Sequence, residues 1–240
     1  MKTLLIVNVG QAPQAQLEKF GDFEEWALRT IREQGVHQRD IHIEFHDGVS
    51  YPLPDFNSLA GVIIMGSLAM ASEKTPWMLR LSDEIVQLVE RKIPLLGICF
   101  GHQLIAQALG GAVGYHPHGL EIGTVPITKQ PAADDDAIFA HLPAQFDAHA
   151  VHYQSVLKLP ENAVLLARSD FEPHHAYRVG NTCWGVQFHP EFTPPIMQMS
   201  LNNLKHEFED EYSAKSAQVR ETEHAKQVLL QFAQLCCQAQ

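Results

Sequence analysis

The chain has 240 residues, 45% hydrophobic and 19% charged, which is ordinary globular composition and enough for one large α/β domain or two small ones. Its 17 Lys and Arg against 28 Asp and Glu give a formal net charge of −11, which argues against a nucleic-acid partner, since that needs a basic face. Four cysteines are too few for a disulfide scaffold and no apolar run reaches membrane-spanning length, so a reduced, cytoplasmic protein with no membrane contact is expected.

Thr3 to Val9 reads as a buried strand; the apolar run is too short for a signal peptide. A helical stretch follows from about Gln14 to Glu33, closed by Gly35. Ile41, Ile43 and Phe45 alternate with His42, Glu44 and His46, the period of a strand, with Asp47-Gly48 as its turn. Pro52, Pro54 and Asn57 make a loop. Gly61 to Gly66 is an apolar strand running into a small-residue loop, Ser67 to Ser72. Helical spacing returns over Trp77 to Arg91, with Leu81, Ile85, Leu88 and Val89 on one face. Strands alternating with helices predict an α/β fold with a doubly wound, mostly parallel central sheet flanked by helices.

The most informative segment is Pro94 to Gln103. Leu95 to Ile98 is a short apolar strand, Cys99 stands between Gly97 and Gly101, and Leu104, Ile105, Ala108 and Leu109 then recur at helical spacing up to Gly110-Gly111. A cysteine at a strand-to-helix turn, in the form G-x-C-x-G, is the pattern of a nucleophile elbow. The glycines suit it because a strained turn crowds its neighbours and leaves no room for a Cβ. A helix N-terminus behind the sulfur favours the reactive thiolate. A buried cysteine at an ordinary strand-to-helix turn would give the same local pattern.

Beyond Gly111, residues 113 to 118 and 122 to 129 read as paired strands. Asp134-Asp135-Asp136 reads as a solvated loop or helix start. Residues 146 to 152, 163 to 168, 175 to 179 and 183 to 188 read as further strands, the last two joined by a hairpin at Gly180-Asn181. These supply a smaller antiparallel sheet. Thr193-Pro194-Pro195 ends the sheet region and starts a helix near Ile196. A final helix over about 221 to 234 carries Val228, Leu229 and Phe232. No repeat or flexible linker interrupts the chain. One domain over 1–240 is expected, with a core to about 195 and a C-terminal helical extension over about 196–240. The 14 histidines include no H-E-x-x-H and the cysteines no paired C-x-x-C, so no metal is expected and the histidines read as surface residues. Cys183, beside Trp184 in a strand, reads as core.

Gly185-Val186-Gln187-Phe188-His189-Pro190-Glu191-Phe192 is the second informative segment. In an extended chain Val186 and Phe188 face one way, and Gln187, His189 and Glu191 the other. Pro190 disfavours helical geometry at His189, so the extension is maintained. His189 and Glu191 then project to one side within hydrogen-bond reach, as a base and its orienting carboxylate must.

With both segments in view, the chain resembles the class-I (triad) glutamine amidotransferases, and within them stand-alone proteins similar to the amidotransferase domain of GMP synthase. The resemblance covers most of residues 1 to 195. LLGICFGHQLIAQALGG at 95–111 and GVQFHPEF at 185–192 carry it, with support from LEIG at 120–123 and HYQSVLKLP at 152–160.

The resemblance implies that the Cys99 thiolate attacks the side-chain amide of glutamine. His189 moves the proton to departing ammonia, Glu191 orients the imidazole, and water hydrolyses the γ-glutamyl thioester to glutamate. It assigns the oxyanion to the backbone amides of Phe100 and Ser67, each worth about 3 kcal/mol. It assigns the amino-acid end of the substrate to Gln103, to backbone around His152, Tyr153 and Gln154, and to the loop at Gly66. No cofactor is implied. Family members usually carry Gly-Gly-Pro where this chain reads Gly66-Ser67-Leu68, which implies a loop fixed differently or active only after rearrangement. There is no phosphate-loop pattern and no room for a synthetase domain, so ammonia would go to a separate synthetase partner. A γ-glutamyl peptidase with the same triad is the alternative, and a non-catalytic binding or regulatory relative is a third possibility.

Overall fold

The apolar runs of the sequence become the inner strands of one large sheet. The computed structural model describes residues 2–33, 35–37 and 39–238. The first half of the chain gives β1 (Thr3–Asn8), α1 (Gln14–Phe20), α2 (Phe23–Glu33), β2 (His42–Asp47), β3 (Leu59–Ile64), α3 (Pro76–Glu90), β4 (Leu95–Ile98) and α4 (Phe100–Ala108). The second half gives β5 (Ala112–Tyr115), β6 (Glu121–Lys129), β7 (Gln145–His152), β8 (Gln154–Lys158), β9 (Ala163–Arg168), β10 (Ala176–Val179) and β11 (Cys183–Val186). Three helices follow: α5 (Pro194–Asn203), α6 (Tyr212–Gln218) and α7 (Glu223–Gln238).

Among the described residues the large sheet has the order β2-β1-β3-β4-β11-β10-β9-β6-β7. It is parallel from β2 through β11, and antiparallel strands continue it to β7. Helices cover both faces, as the doubly wound expectation requires. In β1, Leu4 and Ile6 join the core that holds Trp26, Ile98, Trp184 and Phe232, whereas Leu5 and Val7 join the one that holds Leu81, Ile85, Phe100 and Leu104. That split is the two-residue period of a strand buried on both faces.

Several elements differ from expectation. The single helix over 14–33 is two: Gly21, at φ +85, ends α1, and Asp22 starts α2. The Asp22 N–H donates to Glu25 Oε2 at 2.8 Å, half of a capping box. Residues 113–118 and 122–129 do not pair with each other. β5 pairs with β8 in a separate two-stranded antiparallel sheet, while β6 pairs with β7. Pro117 and Gly119, the latter at φ +82, turn the chain out of the small sheet after β5. β8 itself was not anticipated, because Gln154 and Ser155 are buried polar residues that hide its apolar pattern.

Asp136 is not solvated but 3% exposed: its carboxylate accepts from Trp184 Nε1 at 3.2 Å and pairs with Arg178 at 2.8 Å. Nor are the histidines uniformly on the surface. Apart from His189, which belongs to the site, His102, His116, His149, His152 and His175 are all buried. The hairpin at Gly180, the core position of Cys183 and the helix start after Thr193 are as expected.

Two glycines let α4 lie against the sheet. A Cβ on Gly97 would come within 2.4 Å of the Gly101 backbone, and one on Gly101 within 2.3 Å of the Ile64 carbonyl oxygen. Gly101→Ala is therefore expected to lower stability by about 1–3 kcal/mol through overpacking. A urea midpoint equal to that of the wild type would contradict this close approach.

Candidate active site

The site begins where β4 becomes α4. Cys99 sits at that junction with φ +50 and ψ −100, a conformation sparsely populated by residues with a Cβ. Its N–H donates to the Val186 carbonyl at 2.8 Å, and its carbonyl accepts from Gln103 N–H at 3.1 Å. The strand side and the helix side of the turn are thus both anchored. The residue is 7% exposed, and its thiol lies 3.8 Å from the Val151 carbonyl oxygen.

β11 pairs with β4 in parallel, Gly185 opposite Gly97 and Val186 opposite Ile98, so the chain after Val186 emerges beside Cys99. His189 lies on that segment. Its N–H donates to the His149 carbonyl at 2.8 Å, its ring stacks on Phe192 at 4.1 Å, and its Nδ1 is 2.8 Å from Glu191 Oε1. The other ring nitrogen, Nε2, is buried with no hydrogen-bond partner among the described residues. Burial would push the His189 imidazole down, but the charges of Glu191 and Cys99 overcome it and raise the pKa to about 10. His149 next to it goes the other way, held at about 3 by burial and then by the charge of His189.

A Cβ on Gly66 would come within 3.1 Å of His189 Cε1 and 3.8 Å of Cys99 Cβ, so this glycine backs directly onto both residues. Neither Gly66 nor Ser67 takes a left-handed backbone. Ser67 Oγ instead donates to the Val9 carbonyl at 2.7 Å and accepts from Ala69 N–H at 3.1 Å, tying the loop to the end of β1. Gly10, at φ +144, makes room: a Cβ there would lie 2.6 Å from the Ser67 hydroxyl.

A cavity of about 570 Å³ opens over these groups, lined by Ser67, Cys99, Phe100, Gln103, His152, Tyr153, Gln154 and His189. Gln103 Nε2 donates to the Gln154 carbonyl at 2.7 Å and to Gln187 Oε1 at 3.0 Å, which leaves its Oε1 for a ligand. The Gln154 side chain joins Ser72 through Nε2 to Oγ at 2.6 Å and Oε1 to the backbone N–H at 3.2 Å. Thus eight of the ten sequence-predicted residues line the cavity, whereas Glu191 and Gly66 do not and instead lie against the His189 ring. Sequence reasoning missed the apolar part of the lining: Pro13 just before α1, Phe23 at the start of α2, and Phe192 and Leu204 on either side of α5. These residues are distant in sequence and carry no local signal. Gln187 was legible in part, since its alternation with His189 places it on the same side of an extended chain.

Chemically, a thiol beside an imidazole whose far nitrogen is held by a carboxylate can attack a carbonyl and pass a proton to the leaving group. The family model for glutamine amidotransferase class-I matches residues 18–207. Gamma-glutamyl peptidase 4 of Arabidopsis thaliana is 37% identical over 189 residues, covering 77% of this chain and 74% of that protein. One of the subunits of the glutamine-hydrolyzing GMP synthase of Archaeoglobus fulgidus is 30% identical over 72% of this chain and 85% of its own length. A glutamine amidotransferase structure from Thermotoga maritima superposes with a TM-score of 0.75 at 20% identity, over 98% of each chain, and so shares the fold. Taken with the cysteine turn and the histidine–glutamate segment beside it, the match places this chain in the class-I glutamine amidotransferase family.

Proposed function

We propose that the chain hydrolyses the γ-amide bond of a glutamyl group through Cys99, His189 and Glu191. The observation that carries this reading is the meeting of a cysteine held at positive φ with a buried His–Glu pair whose Nε2 is otherwise unpartnered, at the base of one cavity. The Cys99 sulfur attacks the γ-carbonyl carbon and the carbonyl π electrons move to oxygen. Backbone N–H groups of Phe100 and Ser67 hold that oxyanion. Collapse breaks the C–N bond, and His189 Nε2–H protonates the departing amine. Water, deprotonated by the same nitrogen, then displaces the thiolate and gives glutamate. Gln103 Oε1 faces the substrate ammonium, and backbone at His152, Tyr153 and Gln154 holds the rest of its amino-acid end.

Glutamine is the simplest substrate, and the relatives named as parts of GMP synthase support release of ammonia to a separate synthetase partner. A second substrate reading, a γ-glutamyl peptide, draws on the apolar wall of Pro13, Phe23, Met70, Phe192 and Leu204. Ammonia needs no such surface, whereas an amino-acid or peptide leaving group would fill it. We place this activity in a single domain over 1–240 and in the cytoplasm, which the four unpaired cysteines support. No described helix is long and apolar enough to cross a membrane.

Cys99→Ala is expected to lower hydrolysis of both glutamine and γ-glutamyl p-nitroanilide by roughly 10⁴-fold or more. It should also abolish labelling by a diazo-ketone glutamine analogue; persistent labelling would point to another thiol. The ratio of kcat/KM for the two substrates decides between the amidotransferase and peptidase readings. Because Glu191 and Cys99 raise His189, the protonated ring needed to expel the amine persists through neutral pH and is lost as pH rises through about 10. The alkaline limb of kcat/KM should lie there, and Glu191→Gln should move it down toward the ordinary histidine range. An unmoved limb would remove Glu191 from the triad. Ser67→Ala deletes the bond to Val9, worth about 1 kcal/mol, and should cut kcat roughly fivefold with little change in KM. Steady-state kinetics at saturating substrate measure it.

A further inference from the structure

Behind the cavity lies a second buried carboxylate–histidine cluster that the proposed chemistry does not use. Glu121 opens β6 directly opposite His152, the last residue of β7. Its Oε2 is 2.7 Å from His152 Nε2 and 3.2 Å from His175 Nε2, and its Oε1 accepts from Ser169 Oγ at 3.3 Å. All three ring and carboxylate groups are buried. The other nitrogen of His152, Nδ1, is 3.0 Å from the Gln154 carbonyl oxygen, the same oxygen that accepts from Gln103.

A backbone carbonyl can only accept a hydrogen bond, and so can an ionised carboxylate. Burial would raise the Glu121 carboxyl, but the charges of His175 and His152 outweigh it and hold the group well below the usual carboxylate range. Both nitrogens of His152 therefore face acceptors.

We propose that Glu121 is a positioning residue for substrate binding: its carboxylate holds the His152 ring at Nε2, and His152 Nδ1–H fixes the Gln154 carbonyl in the corner that lines the cavity. The corner, residues 152–154, is where the chain leaves the large sheet at β7 and enters the small one at β8. The Tyr153 carbonyl is held by His116 N–H at 2.8 Å. With both carbonyls held, the corner is set before any ligand arrives. This inference rests on the reading that the corner binds the glutamyl end of the substrate.

Glu121 is the carboxylate in contact with the ring. In Glu121→Gln the amide can still donate to Nε2 and so leaves the hydrogen on Nδ1, whereas Glu121→Ala leaves the buried Nε2 without a partner.

The test has two arms. Nitrogen-15 NMR of histidine-labelled protein, without substrate, should show hydrogen on His152 Nδ1 in the wild type and in Glu121→Gln. Kinetics at pH 7 with γ-glutamyl p-nitroanilide and glutamine should show KM raised about tenfold in Glu121→Ala at constant kcat, and restored to within about twofold of the wild type in Glu121→Gln. A His152 Nδ1 that carries no hydrogen in the wild type, or a Glu121→Ala KM equal to that of the wild type, overturns the proposal. Should neither compound be turned over, the functional reading fails and the NMR arm alone decides the pair.

Discussion

Parallel pairing of β4 with β11 is the constraint on which the site depends. Gly97 and Ile98 stand level with Gly185 and Val186, and the Cys99 N–H closes onto the Val186 carbonyl. A thiol at the end of one strand and an imidazole beyond the end of its neighbour are thereby brought to the same height at the carboxyl edge of the sheet, where open α/β sheets bind ligands. The pairing holds only if α4 can approach closely enough to start at once after the turn. Gly97 and Gly101 permit that approach, and the positive φ of Cys99 is the local consequence.

Two buried carboxylate–histidine pairs then flank the cavity, with opposite roles written in their hydrogen bonds. His189 has one nitrogen held by Glu191, while the other is buried beside Cys99 with no close hydrogen-bond partner among the described residues. His152 has both nitrogens engaged, one by a carboxylate and one by a carbonyl, which suits a group that must stay as it is. The residue types are the same; the second partner decides the behaviour. Breaking either pair from one side leaves a buried charge or donor uncompensated, a cost of about 3–5 kcal/mol in comparable sites.

The site was legible in the sequence where chemistry and local geometry coincide. Gly97-Ile98-Cys99-Phe100-Gly101 carries a turn that few other sequences need, and the extension forced by Pro190 places His189 with Glu191. The alternation of apolar runs with helical spacing likewise disclosed the large sheet. What stayed hidden depended on contacts between distant segments. Glu121, Asp136 and the inner histidines look like surface residues in a linear reading, because a partner lying some tens of residues away is what makes their burial tolerable. Strand β8 was masked for the same reason. The break between α1 and α2 was written in Gly21-Asp22, but helical periodicity continues across it and a single Gly inside a helical pattern is not decisive.

The Ser67 hydroxyl bears on how the loop beside Cys99 keeps its shape. A loop whose conformation comes from glycine alone can occupy several shapes and wait for a partner to select one. Here the loop is fastened to the end of β1 by a side chain of its own, and Gly10 is shaped around that fastening. The shape of this loop is thus held by bonds within the chain itself, through one hydroxyl and the space left for it.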